Sequence, residues 1–408
     1  MKVLMLGWEL PPHHTGGMGI VCYQLCKQLA KNNVDIEFIL PFTAEFPNID
    51  FMNINPALPD GVDKVLYNTG GSTYDSQYFT YVTSDGKTKG SDMHEHMDNY
   101  VSYVAKLVRI GEYDIIHAHD WLTFRAGIAA KQISGKPLIV HVHATEYDRC
   151  GGGYGNPLIR EVEYVGLHLA DKVLAVSQST KDTIVREYDI DPSKIEVVHN
   201  SMEFETHELQ EKDSIYYYLE AMKDKGYKVV LSAGRLTIQK GLNNLLYAAK
   251  EVISRDPKVL FVIVGGGEQY YELIELSAHL GISKNVIMIG HLNGTGKAWR
   301  DAFRSADLFV MPSVSEPFGL TPFESITFGT PVLISKQAGV SEVLKNCLKV
   351  DFWDINELAN KIYSVIENKG LQETMLINSK NELNRLTWGP SVNKLLEVYN
   401  NHTAEACV

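Results

Sequence analysis

No stretch of this 408-residue chain reaches the roughly 18 consecutive apolar residues that a bilayer-crossing helix needs. The opening, MKVLMLGWELPP, has one lysine and only a short apolar run. It lacks the length and small-residue cleavage site of a secretory leader and reads as a buried first strand. Cysteine is scarce and odd in number: Cys22, Cys26, Cys150, Cys347 and Cys407. Such a scattered set makes no disulfide framework and fits a reducing cytoplasm. Cys22 and Cys26 lie four apart on an amphipathic helix, a spacing that suits core packing better than a metal. Positive charge is in deficit, with 38 Lys and Arg against 50 Asp and Glu and a formal net charge of −12. An acidic chain repels phosphate backbones and anionic lipid heads, which argues against nucleic acid and membrane surfaces as partners. Internal repeats and low-complexity tracts are missing, so neither a solenoid nor a long linker is expected.

What is present is an ordinary globular composition, 45% hydrophobic and 22% charged, with length for two domains. Strand-like runs occur at Lys2–Gly7, Asp35–Pro41, Ile115–Ala118, Leu138–His143, Lys172–Val176 and Ile195–His199. A second series follows at Val229–Ala233, Leu260–Val264, Val286–Ile289, Leu308–Met311 and Val332–Ile334. Helical patterns intervene, for example Ile20–Lys31, Asn99–Arg109, Leu242–Ile253 and Tyr270–Leu280. Alternation of this kind predicts parallel sheets with helices on both faces, and two series predict two doubly wound α/β domains. The seam falls in the charged segment Glu203–Lys225, where Tyr216, Tyr217 and Tyr218 point around a helix as partly buried packing. Ser84–His96 reads as an exposed polar loop, and a last helix spans Ser391–Asn400.

Ligands of open parallel sheets sit at the carboxyl ends of the strands, so the residues following each strand carry the chemistry. Gly16-Gly17-Met18-Gly19 precedes a helix, where backbone amides can approach an anion; a plain tight turn is the other reading. It is not the G-x-G-x-x-G dinucleotide fingerprint. Two strands end in alternating histidines, His117/His119 before Asp120, and His141/His143. Alternation puts each pair on one side of its strand, suited either to a metal-dependent hydrolase or to one functional and one packing histidine. Asn200 follows a strand end and either faces a ligand or serves a turn. Asp189-Ile190-Asp191 is followed by Pro192, which makes it a turn and not the Asp-x-Asp of a metal-dependent transferase. In the second half, Arg235 and Lys240 flank a turn after a strand. Two cations there suit a diphosphate, Arg as a planar fork and Lys as a point charge; solvated loop cations are the alternative. Gly265-Gly266-Gly267 forms another close-approach turn.

SEPFGLTPFE, residues 315–324, holds two carboxylates around a stiff apolar turn with no cation. Thr321 with Glu324 reads locally as a capping box, with Pro322 at the first helical position. Alternatively, backbone amides near Gly319 and Leu320 present a helix's positive end to the diphosphate, and Glu316 and Glu324 accept hydrogen bonds from hydroxyls. A sugar and a ribose joined by a diphosphate supply hydroxyls at both ends, which describes a nucleotide sugar.

Gly-Arg-x-x-x-x-Lys-Gly followed by Glu-Pro-Phe-Gly-Leu-x-x-x-Glu resembles the retaining family-four glycosyltransferases of GT-B fold, over essentially the whole chain. His-Ala-His-Asp-Trp and the Gly-Gly loop are further similar to glycogen and starch synthases. The resemblance implies two Rossmann-like domains facing a central cleft, divided as 1–205 and 206–385, with a helix in 386–408 returning to the first. It implies transfer of glucose from ADP-, UDP- or GDP-glucose to an α-glucan with no cofactor or metal. A small or lipid acceptor is the alternative within the family; a non-catalytic nucleotide-sugar sensor is another. By resemblance, Arg235 and Lys240 grip the donor diphosphate, Glu316 and His143 face the donor sugar, and Glu324 binds the ribose. The Gly16 and Gly17 amides approach the phosphates from the other domain, and Gly319 and Leu320 add theirs. His291 and Leu292 contact the base, and Asp120 and Asn200 line the sugar and acceptor side. The chain departs from the ADP-glucose synthases at His14 and Met18, which replace the lysine and leucine of Lys-Thr-Gly-Gly-Leu. Ser201 stands where the family often has glycine.

Overall fold

The computed structural model describes residues 1–14, 16–68, 78–203, 213–292 and 296–405. The chain divides into two compact units. The first comprises Met1–Tyr147, Gly153–Ser201 and the terminal segment from Trp388; the second comprises Asp148–Gly152 and Met202–Thr387. The expected seam includes 204–212, which lie outside the described residues. Asp148–Gly152, expected in the first domain, group with the second.

The first unit begins with β1 (Lys2–Leu6), α1 (Gly17–Lys31), β2 (Asp35–Leu40) and β3 (Asn53–Pro56). An antiparallel trio follows, β4 (Val62–Asn68), β5 (Tyr78–Thr83) and β6 (Thr88–Ser91), then α2 (Met93–Leu107). The chain continues through β7 (Ile115–His119), α3 (Trp121–Ser134), β8 (Leu138–Val142), α4 (Glu146–Arg149), α5 (Pro157–Leu169), β9 (Lys172–Ala175), α6 (Gln178–Tyr188) and β10 (Ile195–Val197). The main sheet runs β10-β9-β8-β7-β1-β2-β3, parallel throughout. After β1 the chain builds outward on one side and then returns to the other with β7. The order therefore reverses between β1 and β7, where the loops leaving the strands diverge and open a crevice. Every residue of β7 and β8 is buried, as expected for central strands covered on both faces.

Of what reads from sequence as an exposed polar loop, Ser84–His96, residues 84–90 are exposed, but β6 and the first turn of α2 give most of the stretch regular structure. Asp92 N-caps α2 by accepting a hydrogen bond from the Glu95 amide at 2.8 Å. His96 is buried against Phe79, ring centroids 3.5 Å apart, and hydrogen-bonds the Tyr81 hydroxyl at 2.8 Å. Its polarity misleads because the rings of Trp8, Phe79 and Tyr81 surround it and the Tyr81 hydroxyl pairs with Nδ1.

The second unit contains α7 (Ser214–Asp224), β11 (Lys228–Ala233), α8 (Leu242–Arg255), β12 (Val259–Val264), α9 (Tyr270–His279), β13 (Val286–Gly290), α10 (Lys297–Arg304), β14 (Leu308–Met311), α11 (Thr321–Phe328), β15 (Val332–Ser335), β16 (Leu348–Val350), α12 (Ile355–Glu367) and α13 (Lys369–Leu383). Its sheet runs β13-β12-β11-β14-β15-β16, the six-strand order of a dinucleotide-type Rossmann sheet. The reversal lies between β11 and β14. In α7 only Leu219 is buried, while Tyr217 and Tyr218 are 63% and 51% exposed. The three tyrosines point around the helix as expected, and Tyr216 is half-buried, but partly buried packing does not extend to Tyr217 and Tyr218.

The last helix, α14 (Trp388–Glu405), packs on the first unit. The Trp388 indole donates to Gln24 Oε1 at 3.0 Å, Ser391 Oγ donates to the His199 carbonyl at 2.6 Å, and the Tyr399 hydroxyl meets His117 Nδ1 at 2.5 Å.

Candidate functional site

In the second unit, the turns after β11 and β14 press together at the sheet's reversal. Gly241 lies at φ +64°, and a Cβ there would fall 2.2 Å from the Pro312 carbonyl oxygen. Only glycine permits both the conformation and the approach. The contact brings Lys240 to Glu316, whose Oε2 takes the ammonium directly. Glu316 Oε2 also accepts from Ser313 Oγ at 3.2 Å. The missing cation of SEPFGLTPFE is thus Lys240, 76 positions earlier in the chain. Ser232, Gly234, Arg235, Lys240, Met311 and Ser313 line a small hollow at these strand ends.

The stiffness of the stretch has a main-chain cause. The Gly339 amide donates to the Glu316 carbonyl at 2.8 Å and the Val340 amide to the Phe318 carbonyl at 2.7 Å, tying it to the loop after β15. Gly319 turns the chain at φ +92°, where a Cβ would crowd Glu316 Cγ and Met311 Cε at 3.0 Å. The local capping-box reading is overturned. Thr321 is the first residue of α11 and Leu320 stands at the N-cap without a side-chain bond. Glu324 instead turns inward and accepts from the Trp299 indole at 3.3 Å. Burial pushes its carboxyl up to about 8, with the indole N–H opposing. Ser315 Oγ donates to Asp148 Oδ1 at 2.7 Å. His291, after β13, is exposed and Leu292 half-buried; a Cβ on Gly266 would stand 3.7 Å from that of His291.

In the first unit, Gly16 is the N-cap of α1 in extended conformation, and a Cβ there would meet nothing within 4 Å. Nothing in the fold itself demands glycine at this position. His14 Nδ1 pairs with the Gly16 carbonyl at 3.1 Å. Asp120 occupies the left-handed region at φ +56°, rare for a residue with a Cβ, between β7 and α3. Its Oδ1 accepts from the His143 amide at 2.7 Å and the Ala144 amide at 3.4 Å, fastening the end of β8 to the end of β7. Asn200 is buried in the loop after β10.

β7 lies beside β8, with His119 opposite His141 in register. Four imidazoles therefore gather: His117–His119 and His141–His143 centroids are 4.5 Å apart within strands, and His119–His143 centroids 5.1 Å across them. Burial first, then neighbouring histidines, hold His117, His119 and His141 well below the ordinary imidazole value. His143 is lowered by burial, with the Asp120 charge opposing. Nitrogen atoms of His117, His119 and His141 lie within 4.8 Å of one another, as do the ligand atoms of Cys22, His119 and His143. The ring planes are within 20–29° of parallel for the His117–His119, His119–His141 and His119–His143 pairs. His119 and His143 meet edge to edge, with His119 Nδ1 and His143 Nε2 2.9 Å apart.

Residues 15–205 match the family described as Glycosyltransferase Family 4, and residues 220–382 match Glycosyl transferases group 1. The chain is built of glycosyltransferase-family domains. An uncharacterized glycosyltransferase of Methanocaldococcus jannaschii is 29% identical over 98% of this chain and 98% of its own. A D-inositol 3-phosphate glycosyltransferase of Salinispora tropica is 26% identical over 96% of this chain and 82% of the relative. A glycogen synthase of Mycobacterium tuberculosis is 26% identical over 85% and 80%. Among solved structures, sucrose-phosphate synthase from Thermosynechococcus elongatus aligns with TM-score 0.73 at 18% identity, covering 99% of this chain and 100% of that one. Anabaena HepE in complex with UDP-glucose aligns with TM-score 0.68 at 20% identity, covering 98% and 100%. The fold class is GT-B, two Rossmann-like parallel-sheet domains.

For a glycosyltransferase of this fold, the sequence motifs named Arg235, Lys240 and Glu316, and the structure brings Lys240 and Glu316 into contact. Sequence reasoning missed Trp299 and Asp148, whose partners Glu324 and Ser315 lie on other elements, and Ser313, three residues from Glu316 in the same loop.

Proposed function

We propose that this glycosyltransferase is a retaining enzyme that moves glucose from ADP-, UDP- or GDP-glucose to an α-glucan in the cytoplasm, with no metal in the transfer step. The observation that carries this is the Lys240–Glu316 pair at the reversal point of the second unit's sheet. A cation beside a carboxylate at that point supports a site for a diphosphate leaving group and its sugar. In this reading Arg235 and Lys240 stabilise the departing diphosphate, a preorganised electrostatic contribution. Glu316 and His143 face the sugar and Glu324 the ribose. Amides of Gly16, Gly17, Gly319 and Leu320 serve the phosphates, and His291 and Leu292 the base. Asp120 and Asn200 serve the sugar and acceptor. The open space above Gly16 supports an amide left accessible to an anion. Likeness to a glycogen synthase supports the glucan acceptor.

A small hydroxylic acceptor is the second reading, favoured by likeness to a D-inositol 3-phosphate glycosyltransferase over 96% of the chain. The test is a matrix of ADP-, UDP- and GDP-glucose with glycogen, inositol phosphate or water as acceptor. Glucan elongation with retained anomeric configuration supports the first reading; transfer only to the small acceptor replaces it, and no turnover with any donor sinks both. Activity should also persist in EDTA. Stoichiometric metal on His117, His119, His141 or His143 in active protein would overturn the metal-free step. Among the described residues no helix is long and apolar enough to cross a membrane.

A further inference from the structure

Of the four stacked histidines, His119 has both ring nitrogens engaged in a way that fixes its tautomer. Nε2 lies 3.0 Å from Met5 Sδ, and Nδ1 lies 2.9 Å from His143 Nε2. A thioether sulfur has no hydrogen to give, so the first contact is attractive only if Nε2 carries the proton. His119 is fully buried and neutral, and a neutral imidazole has one N–H. Its Nδ1 is therefore a bare acceptor, and the nitrogen facing it, His143 Nε2, is the donor. His143 is neutral too, which leaves its Nδ1 without a proton. That ring is only partly buried, and its main-chain amide is held separately by Asp120.

We infer that Met5 and His119 are positioning residues that lock His143 as the Nε2–H tautomer, so that it presents a bare Nδ1 lone pair to the substrate. The inference rests on the proposal that His143 faces the donor sugar, and deepens it. Locked this way, His143 accepts a hydrogen bond from a sugar hydroxyl and has no proton of its own to deliver there. Donors lacking that hydroxyl, or carrying it as a methyl ether, should lose turnover. Second-strand neighbours make the arrangement hard to reverse: swapping the tautomer would set a lone pair of His119 against the sulfur lone pairs of Met5.

The tautomer is read directly from side-chain ¹⁵N shifts of the histidine-labelled, ligand-free full chain. His119 and His143 should each show a protonated Nε2 and an unprotonated Nδ1. A protonated Nδ1 on His143 overturns the inference whatever the activity. Met5→Leu keeps the volume and removes the acceptor; His143 should then show mixed tautomers, and kcat should fall about tenfold with little change in donor KM. His119→Asn sets an amide oxygen near the Nδ1 position, and should restore the His143 tautomer and most of the kcat that His119→Ala loses. Unchanged tautomer and kcat in both Met5→Leu and His119→Ala would also overturn it. Full activity in His143→Ala would instead remove the sugar-facing proposal while leaving the tautomer result intact, so the two failures are distinguishable.

Discussion

Lys240 and Glu316 neutralise each other in the ligand-free chain, with side chains 20% and 10% exposed. Removing either partner has two separable effects. Lys240→Ala should lower kcat by roughly 10²–10³-fold if the ammonium stabilises a leaving group. It should also lower stability by about 1–3 kcal/mol, because among the described residues Glu316 keeps only the Ser313 hydroxyl. Adding Glu316→Gln should restore stability in melting experiments and leave kcat low; recovery of kcat would end the leaving-group role. Glu316→Gln alone frees the ammonium, so nucleoside diphosphate affinity should hold or rise while transfer falls. Glu324 titrates differently. With its carboxyl raised to about 8, it is protonated at pH 7 in the ligand-free chain. Between the unfolded value near 4.3 and about 8, the folded state binds the extra proton, so stability from this group falls with rising pH by at most ~1.4 kcal/mol per unit. Glu324→Gln should remove that slope. Binding has the opposite sign: if the carboxylate accepts from ribose, binding releases the proton, and nucleoside diphosphate affinity rises as the pH approaches 8 and levels off above it. Calorimetry should then find Glu324→Gln mild at pH 7 and clearly weaker at pH 9. A pH-independent ratio would refute the ribose role.

At the scale of elements, helix starts are set by different devices from one helix to the next. α2 uses Asp92 as a side-chain cap, and Asp92→Ala should cost about 1 kcal/mol in denaturant melts. α11 uses none; Thr321 Oγ contacts Met311 Sδ at 3.6 Å and Glu324 serves Trp299. Thr321→Ala should therefore change stability by less than about 0.5 kcal/mol. A loss comparable to that of Asp92→Ala would reinstate the capping box. The motif looked local because a threonine followed by glutamate three positions on is the usual signature. The decisive competitor was burial: α11 presents Phe323, Glu324 and Ser325 inward together.

At the scale of the molecule, each sheet reverses its strand order once; Gly16, Gly17 and Asp120 follow β1 and β7 beside the first reversal, Arg235, Lys240 and Glu316 follow β11 and β14 beside the second, and His143, Asn200 and His291 follow strands farther out. The first unit is not continuous in sequence. Trp388, Leu395 and Tyr399 of α14 are at most 3% exposed within it. Deleting residues 388–408 should destabilise the first unit, with local hydrogen-exchange protection lost along β7 and α1 and retained along β11 and β12. Uniform loss in both sheets, or in neither, would contradict that division.

The sequence by itself determined the alternation of strands and helices, both Rossmann-like series, and which residues stand at strand ends. These are local properties: apolar period, run length, and the glycines and prolines that stop a strand. Arg235, Lys240, Glu316 and the two histidine pairs were legible for that reason. Tertiary structure decided the partnerships. That Lys240 answers Glu316 follows from β11 lying beside β14, which strand order fixes and no local pattern encodes. That four histidines form one stack, and not two pairs, follows from β7 lying beside β8. Trp299 reaches Glu324, and Met5 reaches His119, only because separate elements bury their faces together. Side-chain chemistry is written residue by residue, but hydrogen bonds and buried charges are settled by whichever neighbours the packed core supplies.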